Sequence, residues 1–96
     1  MNTPTVPELL RAAASTYEER NKAYGDNYKK SGAALAAMFP EGLPPMGAQD
    51  WNEFGVWFMI FVKLSRYAEN IGKGGHVDSA HDMVVYAAML EELTKS

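Results

Sequence analysis

This chain has no cysteine, so it holds neither a disulfide framework nor a thiolate metal site. That absence suits a reducing compartment, and a cytoplasmic protein is expected. Basic residues are in the minority, 9 against 12 acidic, for a net charge of −3. A grip on a DNA or RNA polymer needs a basic surface, so that class is not expected. Long apolar runs are missing too. The longest, residues 56–62 and 83–90, are far too short to cross a bilayer. No basic stretch followed by an apolar run opens the chain, so no secretion signal is expected. The turn at residues 72–75 lacks the spacing of a phosphate-binding glycine loop. Ser31, Ser65 and Ser79 lack the flanking glycines of a nucleophile elbow. The His81-Asp82 doublet has only one other histidine, His76, to work with, too few for a histidine-based metal hydrolase. His76 reads as a loop residue and His81 as a first-turn surface residue.

What is present is ordinary in amount and unusual in placement. Hydrophobic residues make up 47% and charged residues 22% of 96 residues, enough for one folded domain, 1–96. The periodicity predicts four helices and no strand. Thr5 and Glu8 have capping-box spacing, and a helix follows over 6–23. Leu9, Leu10, Ala13, Tyr17 and Tyr24 lie roughly along one side of it. Gly25 stops that helix, and Asp26 is placed to cap a second over 27–39, which Pro40 ends. Residues 40–49, rich in proline and glycine, read as a connector, with a lid as the alternative. Asp50 and Glu53 form a second capping-box pattern, opening a third helix that runs to about residue 71. A glycine turn leads to the fourth helix, over 78–93. The expected fold is all-α: a four-helix bundle-like domain of antiparallel helical hairpins.

The third and fourth helices are apolar nearly all round, whereas a surface helix shows a polar face. Ninety-six residues offer little cover for two such helices. A dimer or larger homo-oligomer is therefore expected.

Within these apolar helices stand four charges. Lys63 and Arg66 are three apart and Asp78 and Asp82 four apart, so each pair shares a helix face. Burying charge is costly unless it is paired. The four are thus either each other's partners, with Asp78 doubling as a helix N-cap, or the lining of a ligand pocket. In a pocket, Arg66 and Lys63 bind phosphate, the guanidinium bidentately. The aspartates hold a divalent cation or hydrogen-bond a ribose or base. The end of the first helix adds Tyr17, Tyr24 and Asp26. Tyrosine there either covers the core or offers a base a flat surface and a hydroxyl.

The order Glu19-Arg20-Asn21-Lys22, Tyr24-Gly25-Asp26, then Lys63 and Arg66, then Asp78, Asp82, Tyr86 and Ala87 resembles small phage proteins with nucleotide-modification-associated domains. These are distantly similar to the MazG-like all-α nucleotide pyrophosphohydrolases. The resemblance covers about residues 15–92. It implies a helical bundle, oligomerisation through the central helices, and a nucleotide or cyclic nucleotide ligand. MazG-like enzymes carry a Glu-x-x-Glu pair on one helix and an acidic pair on the next, which together bind magnesium. Asp78 and Asp82 stand where the second pair would be, but Lys63 and Arg66 stand in place of the first. Two cations there repel magnesium.

The expected function is therefore binding or sequestering of a nucleotide or nucleotide signal, including one used in host defence. Lys63, Arg66, Asp78, Asp82, Tyr17, Tyr24 and Asp26 are its site, with no metal and no cofactor. One alternative is magnesium-dependent hydrolysis of a nucleoside triphosphate to monophosphate and pyrophosphate. The other is a structural or partner-binding helical module. No membrane partner is expected.

Overall fold

The computed structural model describes residues 3–95. Four α-helices run in order: α1 Val6–Tyr24, α2 Ser31–Met38, α3 Ala48–Ala68 and α4 Val77–Lys95. No strand occurs among the described residues. The helix α1 begins as its sequence dictates. The Thr5 hydroxyl oxygen accepts the Glu8 N–H at 3.4 Å, and the hydroxyl donates to the Glu8 carboxylate at 2.9 Å. Gly25 ends α1 with φ +61, a backbone state that glycine adopts at little cost, and its N–H reaches the Asn21 carbonyl.

Three local expectations need correction. The second helix does not run unbroken over 27–39. A 3-10 turn, Asn27–Lys29, precedes α2. Asp26 makes no side-chain cap there, because its carboxylate is taken by Asn21 and Lys29. The helix α3 starts three residues earlier than Trp51, and its N-cap is Gly47. Asp50 sits at the third helical position and accepts the Gly47 N–H at 3.0 Å, which leaves Glu53 with no capping task. Asp78 is not the N-cap of α4. The His76 ring does that work: its Nδ1 accepts the Ser79 N–H at 3.2 Å and lies 2.6 Å from the Ser79 hydroxyl. Imidazole can serve here because one ring nitrogen of neutral histidine is an acceptor.

The main helix–helix contact among the described residues is between α3 and α4. They turn into one another through glycines. At Gly75, φ is +77 and a Cβ would lie 2.8 Å from the Tyr67 hydroxyl, so a side chain is doubly disfavoured. Aromatic rings run along α3: Phe54 stacks on Trp57 and Trp57 on Phe61, with centroids 5.7 and 5.8 Å apart. This series is the beginning of a core, but one chain does not close it. Among the described hydrophobic residues only Phe61 is buried, and Ser79 is the buried polar one. Trp51, Leu64, Val84 and Met89 remain exposed on the two apolar helices.

Candidate functional site

The ends of α1 and α3 and the start of α4 converge on one polar cluster. Asn70, just past α3, fixes the approach. Its amide donates to the Ala23 carbonyl at 3.1 Å and to the Arg66 carbonyl at 3.0 Å, tying the exit of α1 to α3. That docking brings Tyr24 beside Arg66. The guanidinium carbon lies 4.9 Å from the Tyr24 ring centre, and the same ring meets His76 edge-on at 5.4 Å. Arg66 is half-buried, and no carboxylate among the described residues lies within ion-pair reach of it. Glu69, one turn further along, is held by Lys30 at 2.7 Å.

Lys63 is satisfied differently. Its ammonium lies 3.0 Å from Asp82 Oδ2, with the lysine side chain 15% and the aspartate 41% exposed. The two cations of α3 thus share a face but not a partner. We expect a double-mutant cycle between Lys63 and Asp82 to give a coupling of about 1 kcal/mol, since the pair is only partly shielded from water. The same cycle between Arg66 and Asp82 should give none. Coupling to Arg66 instead of Lys63 would contradict this arrangement.

Tyr17 and Asp26 join a second, more exposed group around the end of α1. The Asn21 amide links them, donating to Asp26 at 2.8 Å, to the Gly25 carbonyl at 3.0 Å and to the Tyr17 hydroxyl at 3.5 Å. The Tyr17 and Tyr28 rings meet edge to face with their hydroxyls 3.4 Å apart. The hydrogen bond with Tyr28 pushes the Tyr17 phenol above its ordinary pKa. The Asn21 amide, and then the Lys29 ammonium, hold the Asp26 carboxyl below its ordinary value. Lys29 is raised in turn by its bond to Asp26. A carboxyl depressed on folding contributes stability above its unfolded pKa near 4, and that contribution disappears as pH falls through the lower folded value. Asn21→Ala should move the Asp26 titration midpoint up toward the ordinary carboxylate value, read by NMR of its carboxyl carbon. An unmoved midpoint would remove Asn21 as the cause.

Asp78 lies apart from both groups. It is exposed in the first turn of α4, and its carboxylate makes no hydrogen bond or ion pair with the described residues. The site residues read from the sequence therefore fall into a Lys63–Asp82 pair, an Arg66–Tyr24 stack, a Tyr17–Asp26 group and an isolated Asp78. His76 belongs beside Arg66 and Tyr24, which its sequence context did not reveal. The dipeptide His76-Val77 carries no polar pattern that marks a cap.

No group of three or more His, Asp or Glu side chains able to hold a metal ion occurs among the described residues. A separate cleft of about 380 Å³ opens at the other end of α3, between Phe39, Pro45, Met46, Phe54, Trp57 and Leu90. Residues 40–49 contribute its proline wall, through Pro44 and Pro45. No helix among the described residues is long and apolar enough to cross a membrane.

No curated protein and no solved structure matches this chain. A family model described as a domain of unknown function (DUF6378) matches residues 8–94, nearly the whole length, and the chain belongs to that family.

Proposed function

We propose that this protein binds a nucleotide, taking its phosphates at Arg66 and Lys63. The observation that carries this is the Arg66 guanidinium: half-buried, braced over Tyr24, and without a carboxylate partner among the described residues. A partly desolvated cation without a counter-ion is costly, and an incoming anion removes that cost. Guanidinium suits phosphate because its planar donors form two parallel bonds at once. Lys63 lies one turn away and has three donors, of which Asp82 occupies one direction. The Tyr17 and Tyr28 rings, both about half exposed, offer a face for the base, and Asp26 accepts from a ribose hydroxyl or a base amino group.

The likeness of the Tyr24-Gly25-Asp26, Lys63, Arg66 and Asp82 series to phage nucleotide-modification-associated proteins supports the same ligand class. On this reading the protein holds or sequesters a nucleotide or nucleotide signal, in a homo-oligomer of MazG-like helical hairpins. Lys63 and Arg66 favour phosphate binding without metal over magnesium-dependent hydrolysis. The test is a thermal-shift screen against nucleoside mono- and triphosphates and cyclic dinucleotides, with and without magnesium, followed by chromatography of the incubated nucleotide. Stabilisation without magnesium and recovery of intact nucleotide are expected. Magnesium-dependent conversion to monophosphate and pyrophosphate would replace binding with catalysis. No shift with any compound would leave a helical partner-binding module as the better account.

A further inference from the structure

We propose that α1 is an arm exchanged with a second copy of this chain, its apolar stripe packed on the uncovered faces of the partner's α3 and α4. Every residue from 3 to 20 is exposed, and among the described residues the first fifteen of α1 gain little cover beyond the edge contact of Tyr17 with Tyr28. Yet Val6, Leu9, Leu10, Ala13 and Tyr17 fall within about 100° of arc, the narrow stripe of a helix built to be covered. Leu9 is 55% and Leu10 65% exposed. A lone helix of 19 residues is marginal in water. The exit of α1 is tied to α3 and to the start of α4 through Asn70, Arg66 and His76.

The size of the deficit identifies the occupant. A folded monomer of 10.6 kDa exposes about 5,500 Å². This chain exposes 7385 Å². The excess is close to what one subunit of an obligate dimer buries, roughly 1,000–2,500 Å². The radius of gyration, 17.1 Å, also exceeds the roughly 12–13 Å of a closed domain of this length. The receiving surface is on the same chain: Trp51 and Phe58 on α3, Val84, Val85 and Met89 on α4, all exposed. A membrane fits less well. The α1 helix carries Glu8, Glu18 and Glu19 against Arg11, Arg20 and Lys22, without the basic excess of a membrane-surface helix. The exchange bears on the polar site as well. Asp82, Val85 and Met89 share one stripe of α4, so a copy covering that stripe abuts the Lys63–Asp82 pair.

Exchange of α1 does not depend on a bound nucleotide. Sedimentation of the full chain at micromolar concentration, with amide hydrogen exchange, tests it. The expected mass is at least twice 10.6 kDa. Amides in residues 10–20 should exchange on the order of a hundredfold more slowly than in the isolated α1 peptide. Leu10→Asp should weaken association on the order of a hundredfold and abolish that protection. A 10.6 kDa wild-type species would overturn the proposal, including one that binds anionic vesicles. An oligomer whose α1 amides are unprotected, or whose association Leu10→Asp leaves unchanged, would overturn it equally.

Discussion

Arg66→Gln is expected to weaken binding of a nucleoside phosphate on the order of a hundredfold while the helical fold persists. In the proposed site the guanidinium would supply two charge-assisted bonds to phosphate, each worth roughly 1.5–3 kcal/mol. Losing both, partly offset by the amide of glutamine, corresponds to about 3 kcal/mol, or two decades in Kd. The stability cost should be small. Asp82 is paired with Lys63, so removing Arg66 orphans no carboxylate. What the fold loses is the contact with Tyr24, about 1 kcal/mol. Arg66→Lys separates charge from shape: it keeps the cation but neither the planar fork nor the stacked face, and about tenfold weaker binding is expected. A titration showing wild-type affinity for Arg66→Gln would detach Arg66 from the ligand. A drop in stability of several kcal/mol with binding intact would make it a structural residue.

Phe61→Ala carries the largest expected effect on stability, a loss of about 3–5 kcal/mol. Phe61 is the one buried large hydrophobic residue among those described, only 7% exposed. It stacks on Trp57 and lies against Phe58, with centroids 5.8 and 5.9 Å away. Truncation removes its transfer energy and leaves a void beside the Trp57 and Phe58 rings. A domain of this length has a total stability of only about 5–14 kcal/mol. The urea midpoint should therefore fall by more than about 1 M. The same change at exposed Leu64 should shift it far less. Equal shifts at the two positions would mean that Phe61 is not the centre of the packing.

Much of the fold was legible because helix signals are local. Thr5, Glu8, Gly25 and Pro40 mark boundaries by chemistry that acts within a few residues. The misplaced starts have equally local reasons. Asp50 and Glu53 have capping-box spacing, but Asp50 instead accepts the Gly47 N–H three residues earlier, the half of such a box that a glycine N-cap can make. Asp78 looks like a cap, yet the chain caps α4 with the rarer His76. The site was legible only as a set of residue types. Helical spacing placed Lys63 and Arg66 on one face, but which of them meets Asp82 depends on how α4 lies on α3. The partner of Arg66 is Tyr24, from a helix brought in by Asn70, and no spacing within one helix encodes that meeting. The stripe on α1 was visible as a pattern, but a pattern does not reveal that its own chain leaves it bare.

A nitrogen-15 NMR titration with ATP in the absence of magnesium, repeated with a cyclic dinucleotide, tests directly whether Arg66 and Lys63 hold a nucleotide. Binding at the polar cluster predicts saturable shifts at the Arg66 side-chain Nε and at the Lys63, Tyr24 and His76 amides, with little change at Phe39 and Trp57. Shifts confined to the aromatic cleft around Phe39 and Trp57, or none with either nucleotide, would contradict it.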